Sequence, residues 1–402
     1  MHFSDFSELF HFRLYYYSEF FTFRYNHAMS ESKKQYRVFI SAAEPSADAH
    51  CASLIAALKN MHPAIDFIGA GGPKMADAGC ELLENTVEKA SMIYNALANI
   101  AYFHRLIKRI RNLFAGNKID LVIVCDSPAF NFHVAKAAKQ AGIKTLFYVA
   151  PQLWAWGAWR IGKLRKTCDK LCCILPFEQE WFSSRGVDAV FVGNPLVAWP
   201  YWPCRHGLEA HAMTIALMPG SREAEMKTLW KPMQQIALAL KKKHPEVTFV
   251  TVSINNERQK VLEASQLHGF ECEYVIDSVG KTAGSVDFTI VASGSATLEV
   301  AAAGCPMVIM YQSSMILWHL FGRHLIKTKY LSLVNILAGK QLVPEFMPYF
   351  RSAGPIVDAI DSLLDDRDKL AQISSSLREL VEPLAEKKAC EEVAKIAIEM
   401  ME

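Results

Sequence analysis

Five short stretches of the chain hold side chains whose types and spacing can do chemistry. In Val291-Ala292-Ser293-Gly294-Ser295-Ala296-Thr297-Leu298-Glu299 an apolar run ends in small residues and passes into a helix-like segment. Gly294, Ser295, Ala296 and Thr297 let backbone N–H groups approach a phosphate. The positive end of a following helix favours the anion, and Glu299, about one turn inside, can accept hydrogen bonds from both hydroxyls of a ribose. A tight turn whose Ser295 only caps the helix is the plainer reading. Met218-Pro219-Gly220-Ser221-Arg222 takes the same topological position earlier, and beside Ser221 it adds the Arg222 guanidinium, whose planar fork suits diphosphate oxygens. Asn335 is a polar side chain within an apolar, helix-like stretch, either a binding group or a surface or capping asparagine. In the first half, Ala43-Glu44-Pro45-Ser46-Ala47-Asp48 puts two carboxylates and a hydroxyl at a crevice edge, with helix capping the rival role for Ser46 and Asp48. Asp126 directly follows the apolar run Leu121–Cys125 and precedes Ser127-Pro128. It is the carboxylate chosen as general base, because a strand end fixes its position and apolar surroundings raise its proton affinity. A turn-forming aspartate before proline is its alternative.

These loops need a scaffold, and the hydrophobic rhythm supplies one. From Tyr36 onward short apolar runs alternate with longer amphipathic segments: Val38–Ser41, Asp48–Lys59, Phe67–Gly69, Leu121–Cys125, Val134–Ala141 and Thr145–Val149. That alternation predicts βαβ units and a parallel sheet. A second series follows Pro195, with Thr214–Met218, Val247–Val252, Tyr274–Ile276, Phe288–Val291 and Met307–Tyr311 between helical stretches such as Ala224–Lys243. The expected fold class is α/β, with two Rossmann-like doubly wound domains facing a cleft. Pro195–Leu208, rich in Trp and Pro, is the best linker candidate. Ligands of such sheets bind outside the carboxyl ends of the strands, where four of the five stretches fall, Asn335 being the exception.

Composition sets limits. The 402 residues exceed the roughly 250–300 at which single cores stop growing, so two cores are expected. The 43 basic residues nearly balance the 41 acidic ones, so no global field draws the chain to nucleic acid. Ten scattered cysteines without a C-x-x-C pair suit a reducing compartment. Cys172 and Cys173 lie in a strand-like run where neighbours point to opposite faces, so no metal site is assigned to them and Cys168. No stretch of about 18 apolar residues and no signal-peptide pattern occurs, and neither export nor a membrane span is expected. Residues 1–35 form an aromatic extension: 11 of the chain's 44 aromatic side chains fall in the first 28 residues. Met29 as the true start and an aromatic interfacial helix both remain open for it.

Two segments suit a lipid surface. In the 92–114 segment Ile93, Leu97, Ile100, Ile107, Ile110 and Phe114 recur at helical spacing, with Arg105, Lys108, Arg109 and Arg111 in one turn and a half. The second, 315–330, places Ile316, Leu317, Trp318, Leu320 and Phe321 before Arg323, His324, Lys327 and Lys329. Each can also be an ordinary core helix with a solvated basic edge.

Taken together these residues resemble the lipid-A-disaccharide synthase family, from about Tyr36 to the last helix. The most specific blocks are Tyr148-Val149-Ala150-Pro151-Gln152-Leu153-Trp154-Ala155-Trp156, Leu175-Pro176-Phe177-Glu178, Phe191-Val192-Gly193-Asn194-Pro195, Pro219-Gly220-Ser221-Arg222 with Glu225, Ser293 to Glu299, and Leu333-Val334-Asn335-Ile336-Leu337-Ala338-Gly339. The resemblance implies an inverting glycosyltransferase of GT-B architecture, independent of metal and cofactor. It would take UDP-2,3-diacylglucosamine and 2,3-diacylglucosamine 1-phosphate, and form the β-1,6-linked lipid A disaccharide precursor and UDP. It implies a 36–196 acceptor-side domain, a 209–385 UDP-sugar domain and a 386–402 helix packed back on the first. UDP falls on Ser221, Arg222, Gly294, Ser295, Ala296, Thr297, Glu299 and Asn335; the acid–base and acceptor side falls on Glu44, Ser46, Asp48 and Asp126, with Arg105, Lys108, Arg109 and Arg111 for membrane and acceptor. It further implies a homodimer at the cytoplasmic face of the inner membrane. The pattern departs at Ala43, Pro45 and Ala47 in the first loop, at Ala129, where the family carries a second Asp, and at Asn194, where it carries His. A backbone demanding positive φ at Ala47 is expected to be strained. A UDP-N-acetylglucosamine epimerase and a catalytically silent lipid- or nucleotide-binding relative are the alternatives.

Overall fold

Short apolar runs become strands because β-branched and aromatic side chains fit a surface buried on both faces, and the segments between them must cross back along those faces as helices. The computed structural model describes residues 34–89, 100–197, 213–322, 325–326 and 328–402. The aromatic extension, the first part of the basic segment and most of the expected linker lie outside the described residues.

Two parallel sheets result. The first holds β1 (Tyr36–Ala42), β2 (Ile65–Gly71), β3 (Glu81–Asn85), β4 (Leu121–Cys125), β5 (Lys144–Tyr148), β6 (Lys170–Cys173) and β7 (Ala189–Phe191), in the order β3-β2-β1-β4-β5-β6-β7. The second holds β8 (Thr214–Met218), β9 (Thr248–Ser253), β10 (Glu273–Ile276), β11 (Phe288–Ala292), β12 (Met307–Met310) and β13 (Glu345–Phe346), in the order β10-β9-β8-β11-β12-β13. In each sheet the winding reverses once, between β1 and β4 and between β8 and β11, and such reversals open a crevice at the strands' carboxyl ends. Registers Ala42↔Cys125 and Val291↔Met218 set the loops on either side of each crevice level with one another.

Alternation along the strands sorts the first sheet's two faces. Phe39, Val122, Val124 and Phe147 pack under the helices Ile100–Gly116 and Pro128–Gln140. Val38, Ile40, Leu121 and Ile123 face the helix Pro45–Met61 and the last helix, Ala389–Met401, which returns from the second half of the chain. Cys172 and Cys173 do point into opposite layers. No described helix is long and apolar enough to cross a membrane.

Candidate active site

At the first crevice the chain turns sharply after β4. Asp126 (φ 50°) and Ser127 (φ 46°) both take left-handed conformations, costing about 1–3 kcal/mol each for residues with a Cβ. The surroundings hold the turn in place. The Asp126 N–H donates to Tyr148 O at 3.0 Å, and fully buried Asn131 donates from Nδ2 to Cys125 O at 2.9 Å and Asp126 O at 2.8 Å. Ser41 Oγ donates to Asn131 Oδ1 at 2.7 Å, tying the brace to β1. Burial, with the Glu44 charge adding to it, raises the Asp126 carboxyl to about 6, against the opposing pull of the Ser127 N–H and Arg222. A carboxylate poised there can hold and release a proton near neutral pH.

Glu44, half-buried, sits at the N-cap of the helix Pro45–Met61. Pro45 takes the first turn of that helix, where a missing N–H costs nothing, and Ala47 is helical and buried. The strain expected at Ala47 is therefore absent: the departures from the family pattern are ones a helix start accommodates. Ser46 is exposed on the first turn. Asp48 is only 2% exposed, and its carboxylate accepts from the N–H groups of Gly72 (2.8 Å), Lys74 (3.1 Å) and Met75 (3.2 Å). It caps the short helix Pro73–Asp77, a bonding role that leaves its oxygens engaged. Ala129 is exposed near the start of the helix Pro128–Gln140, and buried Asn194 accepts from Leu196 N at 3.0 Å.

A second acid lies beneath the crevice. Glu178 is buried, and it accepts from Trp154 Nε1 (2.9 Å) and from the N–H groups of Ile174 (3.2 Å) and Leu175 (3.1 Å). Burial lifts its carboxyl to about 7, opposed by those three bonds and reinforced by the Asp126 charge. It braces the loop after β5, where Val149 is also left-handed (φ 63°).

At the second crevice the loop after β8 turns on Gly220 (φ 98°), and Arg222 caps the helix Glu223–Lys243. Arg222 Nη1 donates to Glu225 Oε1 at 3.0 Å, while Nη2 reaches Glu44 Oε2 of the first crevice at 2.9 Å. Although burial opposes the charge, these carboxylates hold the guanidinium firmly protonated. Ser221, Gly294 and Ser295 are exposed, Ala296 is half-buried, and Ser295 makes no side-chain cap bond. Thr297 is buried, its Oγ1 donating to Gly294 O at 2.7 Å. Burial raises the Glu299 carboxyl to about 7, partly offset by the Gly280 N–H. Asn335 is fully buried: Nδ2 donates to Val343 O (2.9 Å) and Glu345 Oε2 (2.9 Å), and Oδ1 accepts from Leu342 N (2.8 Å) and Val343 N (3.1 Å). All its usual hydrogen bonds are made within the fold. The one Asp-x-Asp run, Asp366-Arg367-Asp368, starts a helix, with Asp366 Oδ1 capping Lys369 N at 2.9 Å.

The structure thus brings Glu44, Asp126 and Arg222 together and sets the Ser221 and Gly294–Ala296 loops beside each other, while Asp48 spends its polar atoms on backbone and Asn335 spends its own on backbone and the Glu345 carboxylate. The sequence reading passed over Asn131, whose flag is a lone polar residue between Phe130 and Phe132, and it gave Glu178 no role. The basic helix spans Ile100–Gly116, with Leu106, Ile107, Ile110 and Phe114 in the core. Ile107 therefore belongs to the packing stripe and not to a membrane-facing one; Ile93 and Leu97 lie outside the described residues. Arg105, Lys108, Arg109 and Arg111 are exposed, and Arg109 Nη1 pairs with Glu84 Oε2 at 2.6 Å. In the second candidate segment Met315, Ile316, Leu320 and Leu325 are all exposed.

Known proteins share this sequence pattern and this fold. A family model described as lipid-A-disaccharide synthetase matches residues 38–400. The lipid-A-disaccharide synthase of Geobacter sulfurreducens is 32% identical over 378 residues, covering 91% of this chain and 97% of that protein. That of Myxococcus xanthus is 34% identical over 320 residues, 77% and 83% of the two chains. Among solved structures, the S. aureus MnaA-UDP co-structure superimposes with a TM-score of 0.61 at 13% identity, over 89% of this chain and 94% of that one. The glycotransferase of kitacinnamycin does so with 0.62 at 12%, over 92% and 100%. These last two likenesses speak for the fold alone.

Proposed function

The chain belongs to the lipid-A-disaccharide synthase family and is a glycosyltransferase, and from that premise we propose how its two crevices divide the reaction. The second crevice takes the UDP moiety of a UDP-diacylglucosamine donor, and the first takes a diacylglucosamine 1-phosphate acceptor. Asp126 accepts the proton of the acceptor's 6-hydroxyl as that oxygen attacks the anomeric carbon. The new C–O bond forms as the bond from that carbon to the diphosphate oxygen breaks on the opposite face, and UDP leaves with the electron pair. Arg222 and the backbone N–H groups of the Ser295–Thr297 turn receive the charge that develops on the diphosphate. Glu299 accepts from ribose hydroxyls. Asn335 acts by holding its loop in shape, and Asp48 by fixing the helix beside Glu44.

The observation that carries this reading is the Arg222–Glu44 ion pair, which joins the turning points of the two sheets beside Asp126. A guanidinium held between two carboxylates is placed to exchange one of them for an incoming diphosphate. The experiment is a UDP-release assay in mixed micelles: release should require both acylated substrates and yield the disaccharide phosphate. Release without acceptor, or epimerised sugar nucleotide as product, would sink the reading. Acylated substrates call for a membrane surface, which a lipid A precursor would meet on the cytoplasmic side, and the exposed Met315, Ile316, Leu320 and Leu325 and the exposed basic edge at Arg105 and Lys108 suit that contact.

A further inference from the structure

One face of the first sheet carries a group of basic side chains with no acid among them. The helices Ile100–Gly116, Pro128–Gln140 and Ile161–Thr167 pack side by side there. His104 and Arg111 come from the first, His133 and Lys136 from the second, Lys163 from the third, and Arg160 from the turn that leads into it. Neighbouring bases are neutralised: Arg109 meets Glu84 at 2.6 Å, Lys139 meets Asp169 at 2.5 Å and Lys170 meets Asp188 at 2.8 Å. Among the described residues no ion pair joins any of the six to a carboxylate.

The surroundings make that unusual. The Arg160 guanidinium lies 4.3 Å from the Trp156 ring centroid and against Gly157, where a Cβ would meet Nη2 at 2.6 Å, and its buried Nε has no hydrogen-bond partner among the described residues. Lys163 Nζ sits 4.9 Å from the Phe132 ring centroid, and Phe103 meets the His133 ring edge-on at 5.0 Å. Burial, then the Lys136 and Arg160 charges, hold the Lys163 ammonium below its ordinary value; burial, then Lys163 and Lys136, do the same to His133. Like charges gathered against aromatic rings repel one another unless an anion completes the group.

We propose that this cluster is a phosphate subsite, taking the phosphomonoester of the acylated acceptor sugar. The inference rests on the reading of Asp126 as the residue that meets the acceptor's hydroxyl. The helix Pro128–Gln140 begins two residues after Asp126, and His133 stands roughly 8 Å further along its axis at 1.5 Å per residue. A hexosamine 1-phosphate with its 6-hydroxyl at Asp126 presents its phosphate from the anomeric carbon, across the ring oxygen from the carbon that carries the hydroxymethyl group. A phosphomonoester carries about −1.5 to −2 charges near neutral pH and needs several donors, which a guanidinium fork and an ammonium supply. Trp156 and Trp159, 45% and 68% exposed, offer apolar faces for acyl chains beside that phosphate. A membrane phospholipid headgroup carries the same chemistry and is the other source the test must separate.

The test compares wild type with an Arg160→Gln/Lys163→Gln double variant, with Lys166→Gln on the same helix as the control for lost surface charge. Calorimetry with glucosamine 1-phosphate and with glucosamine reads the phosphate preference without turnover, so a wrong assignment of Asp126 leaves it intact. Acceptor KM in mixed micelles and sedimentation with phosphatidylglycerol vesicles are measured alongside. The expected result is an acceptor KM raised about tenfold or more and a lost preference for the phosphorylated sugar in the double variant alone, with donor KM, vesicle binding and melting temperature unchanged. Vesicle binding lost while acceptor KM and preference persist would assign the cluster to headgroups and overturn the proposal. Both left intact would overturn it as a phosphate site of any kind.

Discussion

The two crevices share a topology and differ in nearly everything the topology does not dictate. Around the first, two non-glycine residues sit in left-handed conformations at the end of β4, and two carboxyls, Asp126 and Glu178, are lifted by burial to about 6 and about 7. Around the second, one carboxyl, Glu299, is likewise lifted by burial to about 7, but the turn is carried by a glycine, the loop residues Ser221, Gly294 and Ser295 are small and exposed, and the principal charge is a guanidinium. One is organised to move a proton, the other to receive an anion. Winding order says where a ligand binds, and residue type says what chemistry waits there.

The comparison breaks most visibly at Asp126. Asp126→Asn should lower kcat by about 10²–10⁴-fold while UDP affinity stays within about twofold, since a general base is removed from one crevice and nothing from the other. Turnover and calorimetry together check this, and equal losses in both would mean the crevices do not divide the work. Arg222→Ala should raise donor KM by about tenfold or more and leave acceptor KM near wild type. Asn131→Ala removes the brace beneath Asp126. Unfolding free energy should fall by about 1–3 kcal/mol, and kcat should fall with donor KM unchanged; a stability loss with unaltered kcat would make the brace purely structural. The smallest effect is on pH. Asp126 must be ionised to act, so activity should decline as pH drops through about 6. Glu44→Gln removes a negative charge that favours the protonated form, so this acidic limb should move to lower pH. A limb that moves upward would show that another group sets it.

Most of the scaffold was legible because the central strands are apolar on both faces, as Leu121–Cys125 and Phe288–Ala292 show. The edge strands were not. β3 (Glu81–Asn85) is half-buried and sets only Leu82 and Leu83 among polar residues, and β13 has two residues, so neither leaves an apolar run to read. The same boundary divides the site. Loops directly after buried strands announced Glu44, Asp126, Arg222 and the Ser293–Glu299 turn. What the sequence hides is direction: Asp48 has the right chemistry and gives it to backbone groups more than twenty residues away, and Asn335 gives its own to backbone seven and eight residues on and to the Glu345 carboxylate. Ile107 has the right spacing for a surface stripe and packs into the core, because a helix period reveals a face without revealing what covers it.

The last helix makes the chain cross between the sheets twice, and the two crossings are fastened together. Asn194 N donates to Leu384 O at 2.9 Å and Lys387 Nζ to Phe191 O at 3.0 Å, while Gly193, at φ 90°, lies so close to the Lys387 backbone that a side chain there would collide with it. Two covalent strands bound along one line form a mechanical axis that bends more readily than it twists. The halves should therefore swing along a single arc, so that opening to admit nucleotide parts Arg222 from Glu44 and closing returns it along the same path. Scattering profiles recorded across a UDP titration should interpolate between two end states; a third component would show torsional freedom that this double crossing ought to forbid.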